Sequence, residues 1–288
     1  MRIVLFGAGA SHGSEEHVRV PPLGSHLFDE LAAFAPATWG MLSPSWATRF
    51  RADFEQAMSD FIASRAFAAP LQWDMAEYFF RLFSATRSRA YVDLLKHMRE
   101  SVSDLLFATL NYESLLFQAR ELAGIPVVDL KVCLPHGSSI LMCEGVSATA
   151  GKVRFTGGVS ISGKVRPFSG WSEFLAQKSS NAFPPVMSYY EPNKFTVSGA
   201  SFIRRQRDQF KEAVLSADRI ALIGVRVHTI DEHIWAPLAK TNAELMYASG
   251  SSAATSFRNW SMSHGRSRDI AVPKYFRDAI PKVVEFLS

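Results

Sequence analysis

The sequence has few cysteines, no long apolar run and little net charge. Cys133 and Cys143 are its only cysteines, which excludes a disulfide framework and a four-cysteine zinc site. No apolar run reaches the roughly 18 residues of a membrane span. Because Met1 and Arg2 lead straight into an apolar run, no signal peptide is evident. These absences together predict a soluble cytoplasmic protein.

Charge gives no strong indication of a nucleic-acid partner. The net charge is +4 over 288 residues. The only dense basic cluster, Arg204-Arg205-Gln206-Arg207, is followed by Asp208 and Glu212 in a predicted helix. A mixed-charge pattern of this kind is typical of a solvated helix face, so direct nucleic-acid binding is not expected.

The residues that are abundant indicate a large buried core. Hydrophobic residues make up 48% of the chain and aromatic residues 12%, enough for one large domain. The run from Arg2 to Phe6 is typical of a strand buried on both faces. Gly7 and Gly9 follow, and without a Cβ atom each lets the backbone approach a ligand closely. The N–H groups from Gly7 to Ser11 then precede a predicted helix, which favours phosphate binding.

Two other interpretations of this glycine loop are weaker. A dinucleotide fingerprint needs a third glycine where the sequence has His12. It also needs an acidic residue at the end of a second strand, but Asp29 and Glu30 lie in a helical pattern. The run Gly9-Ala10-Ser11-His12-Gly13 spells the G-x-S-x-G hydrolase elbow, but the preceding residues are too few to supply an oxyanion hole. The chemistry of the loop therefore depends on residues further along the chain.

Strands and helices alternate over most of the sequence. Apolar runs predict strands at 2–6, 105–110, 127–132, 219–223 and 243–247. Helical patterns cover 25–34, 200–216, 231–240 and 280–287, with a further helix ending near Gly124. The pattern predicts an α/β protein with a Rossmann-like, doubly wound parallel sheet. We expect a single domain over 1–288, with an inserted helical subdomain at 35–100 and a small β excursion at 139–182.

Polar residues follow several predicted strands, at the edge where doubly wound sheets bind ligands. The glycine loop follows the first strand, Asn111 the second and His136 the third. A loop from Gly224 to Asp231 follows the fourth. Taken singly, Asn111 could be a helix N-cap and His136 an ordinary loop histidine. Their shared placement predicts one common site.

Six stretches of the chain, in order, resemble the sirtuin family, and more closely its zinc-free prokaryotic branch than the lysine deacylases. They are G-A-G-A-S at 7–11, P-x-x-G at 21–24, T-L-N-Y-E-S-L-L at 109–116, L-P-H-G-S at 134–138, P-P-V-M-S-Y at 184–189 and A-D-R-I-A-L-I-G…D at 217–231. The resemblance implies a Rossmann-type domain with a small companion domain. It also implies NAD as the cofactor and cleavage of its nicotinamide–ribose bond.

The resemblance further assigns a role to each matching residue. Asn111 would orient a water or a hydroxyl at the nicotinamide ribose, and His136 would be the general base. The remaining cofactor-binding residues would be Gly7, Ala8, Gly9, Ala10 and Ser11 at the pyrophosphate and its ribose, and Gly224, Val225, Arg226 and Asp231 on the adenosine side.

Two positions depart from the family pattern. Glu113, also expected at the cofactor, stands where the family has Asp, and Arg226 lies in a loop that usually reads Gly-Tyr-Ser. No metal is expected, because the reaction needs none. In addition, His228 and His233 are five residues apart and do not share a helix face.

NAD hydrolysis to nicotinamide and ADP-ribose is the function that these residues favour, since nicotinamide leaves as a neutral molecule without a general acid. The branch that the chain resembles includes effectors of bacterial anti-phage defence, which implies a homo-oligomer or a defence-system partner protein. Two alternatives stay open. One is a zinc-free deacylase or ADP-ribosyl transferase, and the other is a sensor that binds NAD or ADP-ribose without turnover.

Overall fold

A computed structural model of the chain describes residues 1–12, 14, 20–64, 69–85, 89–144, 163–181, 183–188 and 198–288. Its strands are β1 (Arg2–Phe6), β2 (Leu105–Thr109), β3 (Lys131–Cys133), β4 (Leu141–Cys143), β5 (Val165–Pro167), β6 (Arg219–Ile223), β7 (Glu244–Ala248) and β8 (Ile270–Val272). Its helices are α1 (Ala8–His12), α2 (Gly24–Phe34), α3 (Pro44–Ala52), α4 (Phe54–Ala63), α5 (Ala69–Ala85), α6 (Arg89–His97), α7 (Leu115–Leu122), α8 (Trp171–Ser180), α9 (Ala200–Ser216), α10 (Glu232–Lys240), α11 (Ser251–Ser263) and α12 (Phe276–Leu287).

Six of the strands form one parallel sheet in the order β3-β2-β1-β6-β7-β8. The chain moves outward from β1 through β2 to β3, and then returns to the other side of β1 and moves outward again from β6. This is a doubly wound α/β sheet, as predicted. The direction of winding reverses between β1 and β6, so a ligand crevice is expected at the carboxyl ends of those two strands.

Helices cover both faces of the sheet. In β1, Val4 and Phe6 belong to one apolar core, and Ile3 and Leu5 belong to the other. The first core includes residues of α6, α7 and α12, and the second includes residues of α9, α10 and α11. Alternate side chains of a strand point to opposite faces, so a continuous apolar run is what a doubly covered strand requires.

A third apolar core lies among the helices that follow β1. The ring of Trp39 lies 5.3 Å from that of Phe50 and 5.6 Å from that of Phe54, measured between centroids. Met58 and Phe61 are buried in the same core, as their spacing predicted. The described residues between 35 and 100 form helices and turns and contain no strand, which agrees with the predicted helical insertion.

The strand prediction at 127–132 is largely wrong. Pro126 begins a 3₁₀ turn over Val127–Asp129, in which the Asp129 N–H donates to the Pro126 carbonyl at 3.2 Å. Val127 and Val128 therefore face solvent, and only β3 pairs with β2. Two adjacent apolar residues form a strand only if a neighbouring strand is available to pair with them. Here the restricted backbone of Pro126 favours a turn instead.

Other differences lie at the edges of elements. The strand expected at 243–247 begins and ends one residue later as β7, and β8 at the sheet edge was not predicted because it has only three residues. β4 and β5 form a separate antiparallel pair within the expected excursion at 139–182. The β-like run at 152–156 lies outside the described residues. Within the described ranges, every helix is too short or too polar to cross a membrane.

Candidate functional site

The two glycine loops at the switch point pack directly against each other. The Gly9 N–H donates to the Gly224 carbonyl at 2.9 Å, and the Gly7 N–H donates to the Ile223 carbonyl at 3.0 Å. Gly224 has a φ of +62°, and a Cβ atom there would lie 2.0 Å from the backbone nitrogen of Ala10. Both loops thus need glycine because two backbones meet, whether or not a ligand is present.

This packing limits how the loop can hold a phosphate. The N–H groups of Gly7 and Gly9 are engaged by the neighbouring strand and loop, and the Ala10 N–H donates to the Gly7 carbonyl at 2.9 Å. A pyrophosphate at this edge therefore needs further donors. Arg226, two residues after Gly224, is exposed and forms no ion pair or hydrogen bond with the described part of the chain.

A buried group of four polar side chains lies beneath the loop, and we call it the Ser11 network: Ser11, Tyr91, Asn111 and Glu113. The Ser11 hydroxyl donates to Oε1 of Glu113 at 2.5 Å. Since that hydroxyl has a single proton, it accepts from the Tyr91 hydroxyl at 2.9 Å and from Asn111 Nδ2 at 3.0 Å. Ser11 is 1% exposed, unlike the accessible nucleophile that a hydrolase elbow presents.

Glu113 ties this network to the start of helix α7. Its Oε2 accepts the Leu115 N–H at 2.8 Å, so both carboxylate oxygens bind protein donors. Burial raises the pKa of Glu113 above its ordinary value, against the opposing effect of the hydrogen bonds from Ser11 and Leu115. The contacts support a positioning role for Glu113 behind the loop, and its direct contact with a cofactor stays a prediction.

Asn111 has a fixed orientation in the network. Its Nδ2 donates to the Gly7 carbonyl at 3.2 Å as well as to Ser11, and a carbonyl can only accept. The amide oxygen Oδ1 makes no hydrogen bond to any described residue. Oδ1 is thus the atom of Asn111 that can accept a hydrogen bond from a water or a sugar hydroxyl.

His136 is held in place by its own backbone and by the glycine that follows it. Gly137 has a φ of +75°, and a Cβ atom there would lie 2.1 Å from the Val186 carbonyl oxygen. The Ser188 N–H donates to the His136 carbonyl at 2.7 Å. His136 is only 6% exposed, so the surrounding protein holds its imidazole in one position.

The loop that carries His136 is bonded to the residue next to Asn111. The hydroxyls of Ser138 and Ser139 both donate to the Tyr112 carbonyl at 2.9 Å. The Tyr112 hydroxyl in turn donates to the carbonyl of Ser188. The segments carrying the two predicted catalytic residues are therefore joined directly.

The imidazole of His136 faces a second histidine. Its Nε2 lies 2.9 Å from Nε2 of His233, and the ring centroids are 5.0 Å apart. One N–H can lie between two such nitrogens, so the rings can share a proton. Ligand atoms of His136, Asp231 and His233 all lie within 4.8 Å of one another, and so do those of Glu55, His228 and Asp231. We call these five residues the histidine cluster.

Hydrogen bonds and short chain segments connect these residues at the carboxyl edge of the sheet. The glycine loop bonds to the Gly224 loop, whose chain leads to Asp231 and His233, and His233 faces His136. The loop of His136 bonds to Tyr112, and the neighbouring Asn111 bonds back to the glycine loop. The residues predicted from sequence thus share one region. Tyr91 was missed because it lies in an ordinary helical apolar pattern. His233 was considered only for a pair on its own helix, so its contact with His136 was not foreseen.

Neither a family model nor a curated protein matches the sequence. Solved structures of Sir2 proteins align over nearly its whole length. One on sirtuin substrate affinity has 14% identity and a TM-score of 0.49, covering 99% of this chain and 93% of its own. One on the mechanism and regulation of Sir2 enzymes has 16% identity and a TM-score of 0.47, covering 99% and 91%. A Sir2 homologue–NAD complex has 12% identity and a TM-score of 0.42, covering 99% and 88%. Likenesses at this level do not establish an activity.

Proposed function

We propose that the chain hydrolyses the nicotinamide–ribose bond of NAD, giving nicotinamide and ADP-ribose. The observation that carries the proposal is the set of hydrogen bonds and chain segments that joins the glycine loops, Asn111 and His136 at the switch point of the sheet. A crevice at that position is where doubly wound sheets take nucleotides. The resemblance of the six sequence stretches to sirtuins supports NAD as the nucleotide.

The glycine loops would receive the pyrophosphate of NAD. Gly7 and Gly9 pack closely on Gly224, which fixes the backbone of both loops. Because several loop N–H groups already bind protein carbonyls, Arg226 would supply a charged donor to a phosphate or to the adenosine side. A guanidinium suits this task, since it presents several donors in one plane.

The chemical step needs little from the protein at the leaving group. When the bond breaks, nicotinamide takes the bonding electron pair and leaves neutral, and water replaces it on the ribose carbon. Asn111 would accept a hydrogen bond from that water at Oδ1, the oxygen that makes no hydrogen bond within the Ser11 network. An amide can orient water at any pH because it does not titrate.

The proton released by the water would go to His136. In this structure its Nε2 pairs with His233, so the two imidazoles would act as one base that holds a single added proton. This pairing changes the sequence-based picture, in which His136 acted alone. A base of this kind typically contributes about 10²–10⁴-fold in rate.

The test is nicotinamide release at saturating NAD by the wild type, Asn111→Ala, His136→Ala and the double variant. We expect each single variant to keep NAD affinity, His136→Ala to lose about 10²–10⁴-fold in rate, and the double variant to lose less than the product of both effects. His97→Ala is the matched control, because His97 is exposed and its Nδ1 binds only the Asp93 carbonyl of its own helix.

Three outcomes would contradict the proposal. Equal rates in all five proteins would mean that another site does the chemistry. NAD binding without turnover by the wild type would favour the sensor. Release that requires an acyl-lysine peptide would favour the deacylase. A role in bacterial anti-phage defence, with a homo-oligomer or a defence-system partner protein, is the part of the proposal that rests on the sequence resemblance alone.

A further inference from the structure

We propose that His136, Asp231 and His233 form a binding site for one zinc-class divalent metal ion. One ligand atom from each lies within 4.8 Å of the other two. Two imidazoles and one carboxylate are a donor set that proteins use for zinc, with a fourth position left to water. The site goes beyond the proposed hydrolysis, which needs no metal.

The separation of the two histidines suits an ion. Zinc–nitrogen bonds of about 2.0–2.1 Å at a tetrahedral angle put two ligand nitrogens about 3.3 Å apart. The two Nε2 atoms here are 2.9 Å apart, so a small separation of the rings admits the ion between them. A proton that lies between the two nitrogens must leave the ligating nitrogen when the ion binds, which a shift of that imidazole to its Nδ1–H tautomer achieves.

The backbone on both sides of the site is already fixed. His136 is locked by Gly137, whose close approach to Val186 leaves no room for a Cβ atom. Asp231 directly precedes helix α10, where its carbonyl accepts the N–H groups of Ile234 at 2.8 Å and Trp235 at 3.0 Å. His233 lies in the first turn of that helix. Ligands held on rigid elements need little reorganisation when a metal binds.

A second group of ligands shares Asp231 but has different chemistry. Oε2 of Glu55 lies 3.5 Å from Nδ1 of His228, with each side chain about one quarter exposed. One imidazole with two carboxylates is an oxygen-rich set that suits manganese or magnesium better than zinc. We therefore assign zinc to the pair of histidines and use His228 as the control.

The direct test measures Zn²⁺ binding to the full chain by competition with a chromogenic chelator. We expect one Zn²⁺ per chain in the wild type and a loss of more than about tenfold in affinity in His233→Ala and in Asp231→Asn, since even residues behind the ligands affect affinity by about 10–100-fold. The matched control His228→Ala removes a histidine from the same loop and should keep the wild-type affinity. Thermal unfolding without metal checks that each variant folds.

Measurements on the wild type alone keep the proposal testable if a variant fails to fold. Zn²⁺ should raise the unfolding temperature, because a ligand of the folded state stabilises it. Co²⁺ should give the intense visible absorption of a four-coordinate site. Absence of binding, an octahedral Co²⁺ spectrum, or an affinity lost in His228→Ala and kept in His233→Ala would each overturn the assignment.

Zn²⁺ and the proton released by the attacking water would compete for the same electron pair on His136 Nε2. If the chain hydrolyses NAD as proposed, Zn²⁺ should inhibit nicotinamide release in the wild type and more weakly in His233→Ala. Binding of Zn²⁺ without inhibition would leave the metal site standing and contradict the role of His136 as base. The two proposals can therefore fail separately.

Discussion

The Ser11 network and the histidine cluster lie at the same edge of the sheet but are built differently. In the network, Ser11 uses its donor and acceptors on Tyr91, Asn111 and Glu113, all of them within the protein. In the cluster, the imidazoles of His136 and His233 face each other through the same atom, Nε2. Ser11, with its donor and acceptors all used, holds the network in one arrangement, whereas facing imidazoles can take up a proton or a metal ion.

This difference indicates that one part of the site chiefly maintains the structure and the other chiefly carries the chemistry. Substitutions of Ser11, Tyr91, Glu113 and the glycines packed beside them should chiefly lower the free energy of unfolding, because they leave buried polar groups unpaired or force backbones apart. Asn111 is the exception in the network, since its Oδ1 is assigned to the attacking water. Substitutions of His136, Asp231 and His233 in the histidine cluster should chiefly change rate and metal affinity. The following experiments separate the two kinds of effect.

The largest loss of stability is expected for Gly224→Ala. A Cβ atom there would lie 2.0 Å from the Ala10 nitrogen and 2.3 Å from the Gly9 carbonyl carbon, in a residue with positive φ. The left-handed backbone costs about 1–2 kcal/mol, and the steric clash adds about 1–3 kcal/mol. Gly265→Ala is the matched control, since Gly265 has a φ of +67° and open space around it. Urea unfolding of both variants measures the difference, and equal losses would show that the two loops separate easily.

Ser11→Ala should cost about 1–3 kcal/mol in the free energy of unfolding, because Glu113 loses a donor while Tyr91 and Asn111 lose an acceptor. His233→Ala, at a half-buried position in the histidine cluster, should cost less. Ser180→Ala is the control for removing a hydroxyl, as Ser180 is exposed and binds only the Ala176 carbonyl of its own helix. A larger loss in the free energy of unfolding in His233→Ala than in Ser11→Ala would contradict the expectation that the Ser11 network contributes more to stability than the histidine cluster.

Glu113→Gln should change how stability depends on pH. Burial raises the pKa of Glu113 in the folded state above its ordinary value of 4.5, so the folded protein holds this proton more tightly than the unfolded chain. The associated stability is fully present below pH 4.5 and is lost as the pH rises through the raised pKa. Glutamine has no such proton. The free energy of unfolding of the wild type minus that of Glu113→Gln should thus fall as the pH rises from 4.5.

Urea unfolding of both proteins across that pH range measures the difference. Glu144→Gln is a useful comparison, because Glu144 is partly exposed and pairs with Arg166 away from the site. A wild-type minus Glu113→Gln difference that stays constant with pH would mean that the carboxyl group titrates equally in the folded and unfolded states.

The smallest effect is expected for Arg226→Ala. It should weaken NAD binding by up to about tenfold, or about 1.4 kcal/mol, because an exposed charged contact is screened by water. The free energy of unfolding should be unchanged, since Arg226 is exposed and forms no ion pair or hydrogen bond with the described part of the chain. Calorimetric titration with NAD measures the affinity, with Arg205→Ala on α9 as the control. An affinity equal to that of the control would remove Arg226 from the proposed site.

The sequence by itself determined the α/β alternation and most of the sheet. Arg2–Phe6 and Arg219–Ile223 are buried on both faces, so their apolar runs carry an unambiguous pattern. Val127 and Val128 show where such a pattern fails: their apolar character predicted a strand, but the turn that starts at Pro126 directs them into solvent. Local preference cannot tell whether a neighbouring strand will be present to pair.

The sequence also placed Asn111 and His136 at one edge, because the carboxyl ends of parallel strands lie together. Only the tertiary structure decided what these residues touch. Tyr91 reaches Ser11 from a helix 80 positions along the chain, and His233 reaches His136 from one 97 positions away. Such contacts depend on how the helices pack on the two faces of the sheet. The spacing rule for helices relates only side chains three or four residues apart in one helix. It could therefore predict neither the Ser11 network nor the contact between His136 and His233.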